Sequence, residues 1–159
     1  MTGKPGSEGD LLDLDNQVCF ALYAANRAVT ARYRPLLKDL GLTYPQYLAM
    51  LVLWEQARLG RLTRVSDLAA RLRLDSGTLT PLLKRLAERG LVSRARNQDD
   101  ERVVTVSLTE SGRGLREQAE QIPGRLLCGI DVAPERLVAL RNELRRILTV
   151  LEGQAGASD

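Results

Sequence analysis

The most reactive side chains in this sequence of 159 residues are two thiols, Cys19 and Cys128. The sequence contains no histidine, which argues against Ser-His hydrolases, Cys-His proteases and His-ligated metal sites. Two cysteines cannot form a four-thiolate zinc site, and neither a GxGxxG nor a P-loop motif is present to hold a nucleotide. We therefore expect a binding protein without metal or cofactor, not an enzyme, in which one thiol could be reactive.

Cys19 is the stronger candidate for a reactive thiol because a phenol lies close to it in sequence. Most free cysteines are small buried hydrophobic residues, and Cys19 taken alone would be interpreted in that way. Tyr23, however, follows one helical turn later on the same face. A phenol that donates a hydrogen bond to a thiolate lowers the pKa of the thiol, and the thiolate is the form that attacks a peroxide.

Positive charge is concentrated in residues 58–102. This segment holds eleven Lys and Arg against six acidic residues, a local net charge of +5, whereas the whole chain has a formal net charge of +3. Such a concentration is typical of proteins that bind a polyanion such as nucleic acid. A basic solvated face also occurs in many other proteins, so the charge alone leaves both interpretations open.

The basic segment has the periodicity of a helix-turn-helix. Leucines at helical spacing predict a short helix over 64–72 and a second helix over 76–89, which Gly90 is expected to end. Two strands are predicted over 91–96 and 103–108, on either side of a polar tip. A hairpin directly after such a helix is a wing. The predicted fold class is therefore mainly α with a small β-hairpin wing, a winged helix-turn-helix.

The second helix of a helix-turn-helix lies in the major groove and presents its N-terminal turn to bases and phosphates. In this sequence that turn carries small hydroxyl side chains, and basic side chains follow further along to meet the DNA backbone. Serine and threonine are also common at helix starts, which would account for one or two of them. The candidate DNA-binding residues of this helix are Ser76, Thr78, Thr80, Lys84 and Arg85.

The tip of the predicted wing carries Arg102 directly after three acidic residues, Asp99, Asp100 and Glu101. Arginine suits the narrow, negative minor groove, so Arg102 is the candidate contact there. Carboxylates cannot meet phosphate favourably. We expect one of the three to orient Arg102 through a charge-assisted pair, and we include Asp100 with Arg102 among the candidate DNA-binding residues.

Further helices are predicted on both sides of the winged unit. The first covers 14–39, begins near Asp13 or Asp15, and is expected to kink or break at Pro35 before Gly41 ends it. Next, Thr43 and Gln46 have capping-box spacing, ahead of a strongly apolar helix over 47–55 that we expect at the buried centre. Thr109 is expected to cap a helix over 112–121.

The last predicted helix begins with Pro134 at its first position. Its apolar residues alternate at steps of three and four, the pattern of a helix that packs on another helix, at Leu137, Leu140, Leu144, Ile147 and Leu151. Docking on the chain's own domain would explain this pattern. We favour dimerisation through the two chain ends, because the terminal helices would otherwise keep apolar faces without an obvious layer to cover them.

These elements predict one domain and no membrane segment. No stretch approaches the roughly 20 apolar residues that span a bilayer, and the polar N-terminus does not resemble a signal peptide, so we expect a cytoplasmic protein. The chain is predicted to consist of a flexible N-terminus over 1–12, a domain over 13–152 and a frayed tail over 153–159. Within the domain, the DNA-binding part is expected at about 58–108, and residues 13–40 and 112–152 are expected to form the dimer contacts.

Four stretches of this sequence resemble one known family. They are NQVCFALY over 16–23, YPQYL over 44–48, DSGTLTPLLKR over 75–85 and DDER over 99–102. They are similar to the organic hydroperoxide resistance regulators, a peroxide-sensing branch of the MarR repressors, and the resemblance covers about 14–125. The Asp-Glu-Arg tip marks MarR proteins in general, whereas the first two stretches are specific to the peroxide-sensing branch.

The resemblance implies that Cys19 is the thiol oxidised by an organic hydroperoxide, with Tyr33 and Tyr44 as its hydrogen-bond donors and Tyr23 nearby. It also implies a homodimeric repressor that leaves its operator DNA on oxidation and controls a gene for a peroxide-reducing enzyme. In two-cysteine members, a cysteine in the region of Cys128 forms an intersubunit disulfide with the oxidised thiol. Packing is the alternative role of Cys128, and a small-molecule thiol could then take its place.

A distance argument bears on where Tyr33 would act. Tyr33 follows Cys19 by fourteen residues, which is about 21 Å along a continuous helix. Tyr33 cannot then reach Cys19 of its own chain. If Tyr33 is a donor, it comes from the partner subunit, and the site is built across the dimer interface.

Two other functions fit parts of the sequence. One is a MarR-type repressor released by an aromatic ligand bound between the dimer helices, in which case wild type and Cys19→Ser would respond alike. The other is a thiol peroxidase with an incidental basic face, which would consume peroxide continuously with a dithiol reductant and show no salt-sensitive, sequence-specific DNA binding.

Overall fold

The computed structural model describes residues 10–98, 100 and 102–155. The predictions for residues 1–9, Asp99, Glu101 and the end of the tail fall outside the described residues. The described part forms two compact units, one up to Leu126 and one from Leu127 onward. In chain order, the helices are α1 (Val18–Lys38), α2 (Tyr44–Arg58), α3 (Val65–Leu72), α4 (Ser76–Glu88), α5 (Glu110–Ala119), α6 (Ile122–Leu127) and α7 (Pro134–Ala155), and the strands are β1 (Thr63–Arg64), β2 (Val92–Arg96) and β3 (Val104–Leu108).

Helix α1 differs from its prediction at both ends. A separate 3₁₀ turn covers Leu14–Asn16, and the residue before α1 is Gln17, whose side chain makes no capping hydrogen bond, so the predicted aspartate cap is wrong. Pro35 does not break the helix, which continues to Lys38. Pro35 lies in the last turn of the helix, where one backbone hydrogen bond is lost because proline has no amide hydrogen. The burial of Leu37 in the core nevertheless favours a helical conformation in that turn.

Helix α2 is the central element of the N-terminal unit, as predicted. Its capping box is present: the Thr43 hydroxyl accepts from the Gln46 backbone amide, and the Gln46 side chain accepts from the Thr43 amide at 3.0 Å. Satisfying these amides fixes where the helix begins. Tyr47, Met50 and Leu53 are almost completely buried and anchor the helix in the core.

The helix-turn-helix and the wing are confirmed. Leu68 of α3 and the four predicted leucines of α4 are buried, and Gly90 ends α4 with a φ of +68°. The wing is a three-stranded antiparallel sheet in the order β1-β3-β2, with Thr63 opposite Val106 and Ser93 opposite Ser107. Strand β1 was not predicted, because a strand of two residues has no periodicity to recognise.

Hydrogen bonds from and to Trp54 and Thr109 position helix α5 within the N-terminal unit. The indole nitrogen of Trp54 donates to the carbonyl oxygen of Gly112 at 2.8 Å, in a buried position. Thr109 caps α5, as predicted, by accepting from the Gly112 amide at 3.0 Å. Gly112 lies so close to the Leu91 carbonyl that a side-chain Cβ at this position would collide with it.

Helix α7 and the first half of α1 carry apolar residues that the single chain does not bury. Leu140 and Leu144 of the predicted apolar row on α7 are 55% and 36% exposed. On α1, Val18 is 69% exposed, and Phe20 and Leu22 are also exposed. None of the described helices is both long enough and apolar enough to cross a membrane.

Candidate thiol and nucleic-acid sites

Three tyrosines and one tryptophan form an aromatic cluster where the end of α1 meets α2. The ring centroid of Tyr33 lies 4.5 Å from that of Tyr44 and 5.7 Å from that of Tyr47. Tyr47 in turn lies 6.5 Å from Trp54 in an edge-on arrangement. The structure therefore brings together Tyr33 and Tyr44, the two tyrosines expected to donate to a thiolate.

The cluster keeps its phenols protonated. Burial, reinforced by the neighbouring Tyr44 and Tyr47, raises the pKa of Tyr33 to about 12. Burial also raises the pKa values of Tyr44 and Tyr47. A phenol that stays neutral at physiological pH can donate a hydrogen bond to an anion, so Tyr33 and Tyr44 have the protonation state that a thiolate partner requires.

Tyr47 was not among the expected site residues. The sequence predicted Tyr47 only as a residue of the buried helix. In the structure its ring contacts both the Tyr33 ring and the Trp54 ring. The spacing of Tyr44 and Tyr47, three residues apart on one helix, was the available signal, since residues at this spacing share a face.

Cys19 lies at the opposite end of α1 from this cluster. It occupies the second position of the helix, and its thiol is free and exposed. Because α1 is unbroken from Val18 to Lys38, Cys19 and Tyr33 are about 21 Å apart along the helix axis. The single chain thus does not bring Cys19 together with Tyr33.

Tyr23 is the one candidate tyrosine on the same part of α1 as Cys19. It is 56% exposed, and its hydroxyl accepts a hydrogen bond from the Arg27 guanidinium at 2.9 Å. The Arg27 guanidinium also lies over the Tyr23 ring, 5.6 Å from its centroid.

Cys128 follows directly after α6, in the C-terminal unit. Its thiol is exposed and forms no disulfide in the described structure. The chain turns here: Gly129 adopts a φ of +78°, and the Ile130 amide donates to the Leu127 carbonyl at 3.0 Å. An exposed thiol in a turn is accessible to another thiol or to a sulfenic acid.

The first turn of α4 presents its hydroxyl groups on an exposed surface. Asp75 caps the helix, accepting from the Thr78 amide at 2.8 Å and from the Thr78 hydroxyl at 3.0 Å. These hydrogen bonds from Thr78 lower the pKa of Asp75 and keep it ionised. Ser76 and Thr80 are exposed beside Thr78. Asp75, which was not among the candidate site residues, therefore orients one candidate DNA-binding residue.

The basic residues of α4 face solvent, as a phosphate contact requires. Lys84 and Arg85 are both exposed, and Lys84 lies 3.9 Å from Glu88 in a weak pair within the helix. Such an exposed pair contributes little to stability and leaves the ammonium group accessible to DNA phosphate.

Asp100 contacts the backbone of Arg102. Asp99 and Glu101, the other two residues expected as possible partners of the Arg102 guanidinium, lie outside the described residues. The Asp100 carboxylate accepts from the backbone amide of Arg102 at 3.0 Å, and the structure shows no ion pair between Asp100 and the guanidinium. Asp100 therefore shapes the turn at the wing tip, since an aspartate commonly bonds the backbone two residues on.

The wing and the helix-turn-helix enclose a concave surface. A cavity of about 580 Å³ lies between them, and among its lining residues are Arg64, Ser66, Ser76 and Arg102. Arg64 and Ser66, at the start of α3, were not expected at the site. Their position at a helix N-terminus within the basic segment was the signal, because backbone amides there also attract phosphate. Among the described residues, no group of three His, Cys, Asp or Glu could hold a metal ion.

Comparisons with known proteins agree with this arrangement. The family profile described as "Transcriptional regulator SarA/Rot" matches residues 31–118. The chain is 47% identical to the organic hydroperoxide resistance transcriptional regulator of Bacillus subtilis (strain 168) over 142 residues, which cover 89% of this chain and 94% of that protein.

Two solved structures of AbfR, a Staphylococcus epidermidis protein, have a similar fold. Reduced AbfR bound to DNA matches with a TM-score of 0.75 and 34% identity, over 87% of this chain and 94% of that chain. AbfR with its disulfide formed matches with a TM-score of 0.59 and 34% identity, over 85% and 92%.

Proposed function

The chain belongs to the MarR-type winged-helix transcriptional regulators of the organic hydroperoxide resistance type, and on that premise we propose that it is a homodimeric repressor that senses organic hydroperoxide through Cys19. The reduced dimer binds operator DNA, and oxidation releases it. The observation that carries this proposal is the course of α1. One unbroken helix has the exposed Cys19 thiol at its start and the protonated Tyr33 phenol near its end.

A site that joins both groups needs two chains. In a dimer, α1 of one protomer places Cys19 against Tyr33 and Tyr44 of its partner. The exposed apolar residues of α1 and α7 support such an association, because a large apolar surface is unfavourable in water and typical of an obligate interface. Residues 13–40 and 112–152 form this interface in our proposal.

The chemistry at Cys19 is a two-electron oxidation. The thiolate sulfur attacks the terminal oxygen of the hydroperoxide, an S–O bond forms and the O–O bond breaks. The alkoxide leaves and takes a proton through the phenols of Tyr33 and Tyr44, which recover it from water. Cys19 becomes a sulfenic acid and the hydroperoxide becomes an alcohol. One such reaction serves one regulatory event, so no turnover is required.

Cys128 of the partner then resolves the sulfenic acid. Its thiol attacks the Cys19 sulfur, an S–S bond forms, and the sulfenic oxygen leaves as water with the remaining proton. The exposure of both thiols supports this step, as does the existence of a disulfide form in AbfR.

DNA binding uses α4 in the major groove and the wing tip in the minor groove. The first-turn hydroxyl groups face the bases and phosphates, and these belong to Ser76, Thr78 and Thr80. Lys84 and Arg85 face the DNA backbone. Arg102 faces the minor groove from the wing-tip turn that Asp100 shapes. A hydrogen-bonded link connects this surface to the turn that follows α1: the Arg89 guanidinium, just after α4, donates to the carbonyl oxygens of Gly41 and, at 2.9 Å, Leu40. Displacement of α1 on disulfide formation would therefore shift α4, and the half-site spacing would no longer fit.

A second candidate function is release by a noncovalent aromatic ligand. The observation in its favour is a cavity of about 350 Å³ whose lining includes the rings of Tyr47 and Trp54, together with two arginines and two glutamates: Arg58, Arg116, Glu55 and Glu120. An aromatic ligand would pack against the two rings. In that case the response would not depend on Cys19.

The experiment is a titration of fluorescent operator DNA with reduced protein, before and after one equivalent of organic hydroperoxide. Wild type should lose binding by at least tenfold on oxidation and regain it with a dithiol. Cys19→Ser should bind as the reduced wild type does and keep binding after peroxide, and Cys128→Ser should not form the dithiol-reversible disulfide. If oxidised wild type stays on the DNA, the redox proposal is wrong and the ligand-released repressor takes its place.

A further inference from the structure

A cavity of about 360 Å³ lies at the base of the wing, where the last turns of α2, the strands β1 and β3 and the first turn of α5 come together. Neither the thiol chemistry nor the proposed DNA contacts use it. Its volume is within the size range of small-molecule sites. The side chains that line it therefore indicate what kind of molecule it could hold.

All the charge in this lining is positive. Arg61 lies in the loop before β1 and Arg113 in the first turn of α5, and no acidic residue is among the described residues that line the cavity. Both arginine side chains are exposed, and within the described chain neither forms an ion pair or a side-chain hydrogen bond. The cavities beside Trp54 and beside Ser76, by contrast, contain carboxylates as well as arginines. An anion in this cavity thus meets two guanidinium groups and no competing carboxylate.

Thr63 adds a hydrogen-bond donor to the same lining. It lies in β1 opposite Val106 and is only 6% exposed. Its hydroxyl makes no hydrogen bond to the described residues and is not completely shut off from the surface. Most polar groups in so buried a position have a partner, and a hydroxyl readily donates to an anionic oxygen. An anionic ligand supplies the acceptor that the chain does not.

Leucines form the apolar part of the lining. Leu53 and Leu108 are buried beneath the cavity wall, whereas Leu62 is 71% exposed and available to pack on an occupant. An inorganic anion would leave this apolar surface in water, and a neutral hydrocarbon would leave the guanidinium groups without a counter-charge. The lining therefore matches a molecule with an anionic head and a small apolar body.

We propose that this cavity binds a small organic phosphate monoester. The phosphate pairs with Arg61 and Arg113 and accepts a hydrogen bond from Thr63, while the hydrocarbon part packs on the leucines. A phosphate monoester carries about two negative charges at neutral pH and has three acceptor oxygens, which match two guanidinium groups and one hydroxyl better than a carboxylate does. Binding is noncovalent and does not involve Cys19, so this inference does not rest on the proposed sensing function.

A bound phosphate also affects DNA binding through its charge. Arg61 belongs to the basic segment, and a dianion at this position cancels part of the positive charge that attracts DNA. Occupancy of the cavity therefore weakens operator binding, by an input that needs no oxidation of Cys19.

The test is isothermal titration calorimetry of the reduced, full-length protein with phenyl phosphate, benzoate and inorganic phosphate. For wild type, phenyl phosphate should bind more tightly than either of the other two anions, on the order of tenfold. Arg113→Gln should weaken phenyl phosphate binding on the order of tenfold, because one charge-assisted pair is lost. Thr63→Val keeps the shape of the buried side chain and should weaken binding by about fivefold, through the loss of one hydrogen bond.

Three further variants locate the bound phosphate. Arg116→Gln removes a charge from α5 three residues after Arg113, at the neighbouring cavity, and should bind phenyl phosphate as the wild type does. Arg102→Gln removes a charge from the DNA-binding surface and should also keep the affinity of the wild type. Ala57→Phe introduces a ring into the cavity from an exposed position on α2 and should abolish binding, while its circular dichroism spectrum remains that of the wild type.

Operator titration measures the effect on DNA binding. At constant ionic strength, saturating phenyl phosphate should weaken operator binding by about threefold in wild type and in Cys19→Ser alike, and should leave Arg113→Gln unaffected. An operator affinity that phenyl phosphate does not change would overturn this effect.

Three results would overturn the site itself. The first is a wild-type affinity for phenyl phosphate no higher than that for benzoate or inorganic phosphate. The second is an affinity that survives Arg113→Gln and Ala57→Phe. The third is an affinity that is lost in Arg102→Gln, which would place the phosphate on the DNA-binding surface.

Discussion

Most apolar residues of α2 to β3 are buried in the single chain, whereas those of α7 are exposed. In the first region, Leu68, Leu79 and Leu83 are completely buried, and α2 runs through a continuous core. In α7 a row of equally apolar residues remains exposed, with Leu151 at 58%. The winged-helix region thus completes its core within one chain, whereas α7 and the start of α1 keep exposed apolar residues, which the proposed dimer would cover.

We infer from this difference in burial that the two regions have different functions. The winged-helix region can keep its DNA-binding surface rigid because its shape depends on local packing. In the proposed dimer, the packing of the helices at the chain ends depends on the partner, and an interface of this kind can change without unfolding either chain. Substitutions in the two regions should therefore have effects of different kinds.

The largest effect is expected from a charge in the apolar row of α7. Leu144→Glu should dissociate the dimer and weaken operator binding by a hundredfold or more, because one chain alone contacts only one half-site and a buried carboxylate is costly. Analytical ultracentrifugation and operator titration measure the two consequences.

Asn142→Glu is the matched control, since it adds the same charge to the same helix two residues away. It should stay dimeric. A Leu144→Glu protein that remains dimeric and binds DNA normally would show that α7 is not part of the interface.

An intermediate effect is expected at Gly112 of α5, where this helix packs against the residue before β2. Gly112→Ala places a Cβ against the Leu91 carbonyl and displaces α5, so it should lower the free energy of unfolding by about 3 kcal/mol. Urea denaturation measures this loss, and the dimer should persist until the protein unfolds.

Gly114 provides the comparison on the same helix, because a Cβ there meets no atom within 4 Å. Gly114→Ala should be neutral or stabilise by up to about 1 kcal/mol, as alanine is the better helix former. Equal losses for both variants would contradict the close approach at Gly112.

The smallest effect is expected at Tyr33, near the end of α1. Burial raises the pKa of this phenol from about 10 to about 12, so the folded state holds the proton more tightly than the unfolded state. Its contribution to stability is complete below pH 10 and is lost as the pH rises to 12. Urea denaturation at pH 9 and pH 11 should show a steeper loss for wild type than for Tyr33→Phe.

Absorbance at 295 nm provides an independent check of Tyr33. The titration step near pH 12 should disappear in Tyr33→Phe and remain in Tyr23→Phe, which removes an exposed phenol. A step near pH 12 that survives Tyr33→Phe would assign it to another residue.

Local patterns predicted most of the winged-helix region. The capping box at Thr43 and Gln46 and the leucines of α4 depend on residues a few positions apart, and the structure has both. The break considered at Pro35 does not occur, and the two-residue strand β1 was not predicted. Both depend on tertiary packing: Leu37 is buried against the core, and β1 exists only through its pairing with β3.

The candidate sites were predicted less evenly. The exposed helix start with Ser76, Thr78 and Thr80 follows from helix periodicity. The cluster of Tyr33 with Tyr47 brings together residues from two helices, and no spacing within one helix reveals such a contact. The roles of Cys19 and Cys128 came from the family resemblance and remain predictions, since the described chain does not contain the partner on which they depend.

The unbroken course of α1 has a genetic consequence. If each sensing site takes its thiol from one chain and its phenols from the other, a cell with one Cys19→Ser allele and one Tyr33→Phe allele forms mixed dimers. In these dimers one site lacks both groups, and the other has both. Two alleles that are each defective would then complement one another, as they could not if thiol and phenol came from the same chain.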